Sequence, residues 1–213
     1  MLRASRSFIN LSIKKIRVGS LLVLLCHGQA MAIEEPKYDV IQTDGSFEIR
    51  KYAPILVAET LVDGDMDEAS SKGFRLIADF IFGNNQVTDS NASSKIAMTA
   101  PVIAAQSGLK TEEDDWYVSF VMPSGSKFAQ MPHPNDPQVV LKELDKQSAV
   151  VISFRGRATV ALTKEKINQL RSAAKRENIA LTSETRIARF DPPFKPGLFH
   201  YNEIIIPVSL GRQ

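Results

Sequence analysis

The chain reads as an α+β protein: two βαββ-like repeats forming a distorted, mainly antiparallel barrel with two helices. Three observations predict it. Only two stretches carry apolar residues at helical spacing, around Asp65 to Phe82 and Thr163 to Asn178. Runs of strand length, rich in branched and aromatic side chains, surround them. The order strand, strand, helix, strand, strand runs from 47 to 122 and returns from 139 to 208, as expected of a duplicated module whose helices cover one shared sheet.

Residues 1–32 read as an export signal. Arg3, Arg6, Lys14, Lys15 and Arg17 form a positive leader without an acid, followed by the apolar block "VGSLLVLLC" from Val18 to Cys26. That block is shorter than the about 20 apolar residues a membrane-crossing helix needs. Ala30 and Ala32 put small residues where a signal peptidase reads, which predicts cleavage after Ala32. Leu25, where a lipoprotein signal would want a small residue, argues against lipidation of Cys26. The expectation is an exported chain, periplasmic if the source is a Gram-negative bacterium, with no stable membrane insertion of the mature part.

Removing the leader changes the electrostatics. The full chain has 26 Lys+Arg against 24 Asp+Glu; without the five leader cations 21 face 24, a formal charge of −3. The basic character belongs to the leader, so nothing in the charge balance suggests nucleic-acid binding. Cys26 is the only cysteine, and its loss with the leader excludes disulfides, cysteine nucleophiles, zinc–thiolate sites and cysteine-ligated haem. Residues 33–213 are long enough for one domain with a self-sufficient core.

In chain order, the first elements are the strand runs "FEIRKY" from Phe47 and "PILVAETLV" from Pro54. The first helix then opens on Asp65 as N-cap, with Glu68 three residues on. Ala69, Gly73, Leu76, Ile77 and Phe80 follow at helical spacing, Phe74 and Ile81 widen the stripe, and Gly83-Asn84-Asn85 stops it. "SKIAMTAPVIAA", 94 to 105, reads as a strand oddly interrupted by Met98, Thr99 and Pro101; "WYVSFVM" follows from Trp116. After the proline-rich connection "QMPHPNDP", 130 to 137, come "VVLKEL" from Val139 and "AVVISF" from Ala149. The second helix puts Ile167, Leu170 and Ala174 on one face and a solvated set of Lys and Arg on the others. "NEIIIPV" from Asn202 closes the pattern. Laid over one another, Tyr52–Ala58 stands opposite Asp145–Ile152, and Met122-Pro123 opposite Ile206-Pro207.

Candidate chemistry is sparse. His133 and His200 are the only histidines after the leader and have no metal-ligand spacing; as a pair they are the only imidazoles available to an iron centre. Asp63, Asp65 and Asp67 alternate like the start of a calcium loop, but Glu68 stands where that loop needs glycine and Phe74 where it needs its closing glutamate. G-x-S-x-G and phosphate-cradling loops are missing. The apolar inventory says more. Phe74, Ile77, Phe80, Ile81 and Phe82 crowd one helix, and Met98, Met122 and Met131 add deformable side chains. They read either as core or as one wall of a cleft beside the first helix that takes a flat apolar ligand, with Lys72, Arg75 or Lys95 at its rim for acidic groups.

"KIAMTAPV" from Lys95, "VSFVMPS" from Val118, "RFDPPFKPG" from Arg189 and "NEIIIPV" from Asn202 resemble the signature stretches of the SOUL haem-binding family, and "FEIRKY" resembles its opening strand. The likeness spans about residues 37 to 208. It implies the duplicated βαββ fold and a non-covalently bound haem or other tetrapyrrole, with Phe74, Ile77, Ile81, Met98, Lys72, Arg75 and Lys95 as candidate contacts. Some members have a histidine proposed on the early strands; Tyr38–Val62 contains none here, which points to an apolar, propionate-clamped mode, with His133 or His200 as the remaining candidate iron ligands. Such a protein would scavenge, buffer or transfer haem and would more naturally be a carrier than an enzyme. Two alternatives stay open. One is a binding domain for another lipophilic molecule or a small-substrate hydrolase of related fold, with Glu59, Tyr117 and Glu203 as trial residues. The other is an interaction module for a protein partner.

Overall fold

The computed structural model describes residues 33–88, 90–106, 115–192 and 194–209; the predicted leader lies outside them. Strands β1 (Tyr38–Asp44), β2 (Phe47–Tyr52) and β3 (Ile55–Asp63) lead into helix α1 (Met66–Phe82). The short β4 (Asn85–Gln86), then β5 (Val102–Gln106) and β6 (Asp115–Val121), complete the first half. The second half contains the short β7 (His133–Pro134), β8 (Val140–Leu144), β9 (Gln147–Arg155), α2 (Val160–Arg176), β10 (Arg186–Arg189) and β11 (Tyr201–Pro207).

Nine strands form one antiparallel sheet in the order β1-β2-β9-β11-β10-β5-β6-β3-β8, curled into a half-barrel. β4 and β7 pair separately. The duplication is exact in register. The trio β3-β6-β5 is repeated by β9-β11-β10, and the two trios meet where β5 pairs with β10. Val57 faces Val121 as Val151 faces Ile205, so Ala58 corresponds to Ile152 and Pro123 to Pro207, the superposition the sequence suggests. Each half lends one strand to the other: β2 pairs with β9, and β8 with β3. That exchange ties the repeats into one folding unit.

Both helices lie on one face of the sheet. The larger core, between helices and sheet, holds Leu56, Ala58, Ile77, Phe80, Ile81, Val118, Phe120, Leu170, Ile204 and Ile206. The opposite, helix-free face has a smaller core of Val57, Ile103, Val121, Val151, Ala188 and Ile205. Alternation within the strands divides the residues: Leu56 and Ala58 face the helices, Val57 the other way.

Local chemistry fixes the helix ends. The Asp65 carboxylate accepts from the backbone N–H groups of Asp67 and Glu68 at 2.9 and 2.8 Å, and Gly83 ends α1 at φ 123°, backbone space that favours glycine. α2 begins three residues earlier than the sequence pattern suggests, because Thr159 is its cap, accepting from Leu162 N–H at 3.3 Å, while Thr163 is buried. The stretch around Met98 is corrected too. The strand is confined to Val102–Gln106, and Met98–Pro101 lies before it, with Thr99 in an isolated bridge to Glu34 and a bend at Ala100. There the Thr99 hydroxyl donates to the Val121 carbonyl, and Ala100 N–H donates to Glu34 O at 2.9 Å. Thr99 therefore serves a neighbouring backbone group, and Pro101 sits where no ladder bond is asked of it.

Candidate functional site

The cleft expected beside α1 depends on how closely that helix sits on the sheet. Gly73 decides it. A Cβ at this position would lie 2.4 to 2.8 Å from the side-chain atoms of Val118, so the helix backbone rests directly on β6. Ile77 and Ile81, expected to line the cleft, are 0% and 1% exposed. They are core residues, because the inner face of α1 is seated flush with no space behind it. Phe74 is half-buried and packs its ring on Phe120, 5.3 Å between centroids.

An opening does exist on the outer flank of α1. β8 covers β3 only from Ile55 to Glu59, leaving the end of β3 as a free edge. Leu61, Val62 and Asp63 from that edge, Lys72, Arg75 and Leu76 from α1, Asp115 and Gln138 line a groove of about 420 Å³. Lys72 and Arg75 are among the residues at its rim. Lys72 is held by Asp63 at 3.2 Å and Glu68 at 3.1 Å, contacts that raise its pKa and lower that of Asp63. Arg75 is exposed and makes no ion pair among the described residues. No lining residue is His, Cys or Met.

The other expected residues are elsewhere. Lys95 and Met98 are exposed on the segment that follows α1, where Ile96 N–H donates to Ile81 O near the helix C-terminus, away from Lys72 in its first half. His133 pairs with Gln86 just past the end of α1. His200 precedes Asn202, whose partner Arg189 reaches Asp67 in the first turn of α1. The two histidines are thus at opposite ends of a helix about 25 Å long and do not form a pair. The His200 Nε2 is engaged with Lys195 O at 2.8 Å. Among the described residues no group of three or more His, Cys, Asp or Glu is placed to hold a metal.

The helix-free face carries a polar cluster that sequence reasoning touched only at Glu203. Arg50, 3% exposed, makes a bidentate pair with Glu203, 2% exposed, at 2.9 and 2.8 Å, and its Nε donates to Glu48 at 2.6 Å. The Tyr38 ring covers the guanidinium at 4.1 Å, Arg50 donates to the Tyr52 hydroxyl at 3.2 Å, and the Tyr201 hydroxyl donates to Glu203 at 2.7 Å. Burial opposes the Arg50 charge, but the contact with Glu203 prevails and raises its pKa. The cavity beside this cluster is only about 60 Å³, room for water rather than for a ligand of 300 Å³ or more. A neighbouring depression behind Glu34–Lys37 holds about 230 Å³.

The same face settles the hydrolase trial set. Along one row lie Ser153, Glu203, Ala188, Ile103, Ser119 and Glu59. Glu59 accepts from Ser119 at 3.1 Å and Lys142 at 3.1 Å, with Tyr117 nearby. Glu203 is four strands away, tied to Arg50. The three residues do not converge on one reaction centre.

Burial pushes the Tyr52 and Tyr201 hydroxyls up to about 12. An unfolded tyrosine ionises near pH 10. The stability linked to these neutral hydroxyls is therefore complete below about pH 10 and lost as pH rises through about 12. A spectrophotometric titration at 295 nm should show a late phase near pH 12, diminished in Tyr52→Phe and in Tyr201→Phe. Loss of amplitude from a phase near pH 10 would contradict this.

Residues 33–207 match the SOUL heme-binding protein family. The chain belongs to that family, which supports haem or tetrapyrrole binding. No curated protein matches the sequence significantly. Among solved structures, the EcmrR C-terminal domain is similar with a TM-score of 0.58 at 13% identity, over 81% of this chain and 98% of that one. A hydrolase from Listeria innocua is similar with a TM-score of 0.53 at 10% identity, over 79% and 94%. At these identities the likeness is one of fold.

Proposed function

We propose that the chain is an exported haem or tetrapyrrole carrier that holds its ligand non-covalently in the groove on the outer flank of α1. Size is the observation that carries this placement: of the three depressions described above, only this groove, at about 420 Å³, reaches the volume of ordinary ligand sites. Leu61, Val62 and Leu76 supply apolar contact for one edge of a macrocycle. Arg75, without an ion pair among the described residues, offers a planar fork to a propionate, while Lys72 divides its charge between Asp63 and Glu68. With no imidazole, thiolate or thioether in the lining, the groove would hold the porphyrin by its face and propionates. No helix among the described residues is long and apolar enough to cross a membrane, and the features of the leader support release on the far side of one.

The experiment is a hemin titration followed at the Soret band, using residues 33–213. The described elements and both cores lie wholly within that span. Saturable binding is expected, weakened about ten-fold by Arg75→Glu through loss of the charge-assisted contact and introduction of repulsion. No saturable spectral change in the parent protein would remove the function. Saturable binding unaffected by Arg75→Glu would remove the site.

A further inference from the structure

We propose that the turn between β10 and β11 is a membrane-surface anchor, placing Phe194, Leu198 and Phe199 in the interfacial region of a bilayer rich in anionic lipid. These side chains are 87%, 77% and 56% exposed, and Val160, at the start of α2, is 65% exposed. They share one end of the molecule. Gly197 lies against Arg157, 3.5 Å from its ideal Cβ position to the Arg157 Cβ, and Gly156 N–H donates to His200 O at 3.0 Å.

The exposure is built into the turn. Lys195 N–H donates to Pro192 O at 3.1 Å, Phe199 N–H to Pro196 O at 2.9 Å and His200 N–H to Gly197 O at 3.2 Å. Asp191 accepts from Tyr201 N–H and pairs with Lys195, both at 2.6 Å, and the His200 ring is engaged with Lys195 O. Around these bonds Phe194, Leu198 and Phe199 are all turned outward. They are held in water, at a free-energy cost that a partner surface would relieve.

Charge and shape select that partner. Arg155 and Arg157 are exposed beside the turn and make no ion pair among the described residues, whereas Asp191, the acid in the turn itself, is already paired with Lys195. Protruding apolar side chains flanked by unpaired cations match an anionic interface, which yields around a convex point and rewards both terms. The role is independent of the groove on α1, and it would bring the protein to a surface into which apolar ligands partition.

The test is co-sedimentation of residues 33–213 with vesicles of phosphatidylcholine alone or mixed with phosphatidylglycerol. Binding should rise with phosphatidylglycerol and fall with salt. Phe194→Ser/Leu198→Ser/Phe199→Ser should abolish it, with circular dichroism unchanged. Arg155→Gln/Arg157→Gln should weaken it roughly 30-fold on the mixed vesicles while leaving the residual binding to phosphatidylcholine as it was. Failure of the parent protein to sediment at low salt, or equal sedimentation of the triple serine variant, would overturn the proposal. So would a parent dimer that the triple variant converts to monomer without any vesicle binding, since the surface would then join two copies of the chain.

Discussion

Arg50→Met is expected to cost about 3–5 kcal/mol of stability at neutral pH, because it leaves the Glu203 carboxylate buried without its cation. The pair is 3% and 2% exposed and its hydrogen bonds are well made, so neither group has water to fall back on. Urea unfolding of parent and variant at pH 7 checks the size of the loss. Adding Glu203→Leu should recover most of the loss, since an apolar replacement of both partners removes the unpaired charge. A deficit under about 1 kcal/mol, or no recovery in the double variant, would mean that the pair is not held as described.

Gly73→Val should destabilise the protein by about 3 kcal/mol through overpacking. The first atom of any side chain at this position would meet Val118 at 2.4 Å, and Val118 is fully buried in the main core, so neither the helix nor the strand can yield without opening that core. Gly73→Ala tests the same contact more gently. Its gain in helix propensity, about 1 kcal/mol, partly offsets the clash. Combining Gly73→Ala with Val118→Gly should cost less than the sum of the two single changes, because the second change removes the Val118 Cβ, Cγ1 and Cγ2 atoms that the new methyl group would meet. Strict additivity in equilibrium unfolding would show that the helix does not rest on Val118.

Much of the fold was legible because it rests on short-range signals. Asp65 and Gly83 mark the ends of α1, and the duplicated order of elements, with Pro123 opposite Pro207, carries the register of the two halves. β10 escaped detection, since "RIAR" is four residues long with charges at both ends, and it is a strand only because β5 and β11 flank it. The apolar pattern starts α2 at about Thr163, whereas the Thr159 hydroxyl caps the helix and Thr163 is buried within it.

The site was less legible. Periodicity identifies the apolar stripe of α1 but cannot say whether sheet or ligand covers it; Gly73 is what brings the sheet close enough to take Ile77 and Ile81. Lys72 and Arg75 lie off that stripe and line the groove on its outer flank. The Arg50–Glu203 pair spans 153 residues, and no local pattern joins its members. Its trace is clear only in "NEIIIPV", where Glu203 is the one charge in an apolar run and a buried partner should be sought; in "FEIRKY" Arg50 stands beside Glu48 and Lys51 and is not singled out. The correspondence of Tyr117 with Tyr201, and of Ser119 with Glu203, becomes visible only through the strand pairings.

The central proposition is that a tetrapyrrole lies on the outer flank of α1. The most direct measurement is a map of backbone amide shifts in residues 33–213 as zinc protoporphyrin is added. Shifts concentrated at Leu61–Asp63, Lys72–Leu76 and Gln138 are the predicted result. Shifts concentrated on the helix-free face around Tyr38, Arg50 and Tyr201, with the α1 flank unmoved, would contradict it.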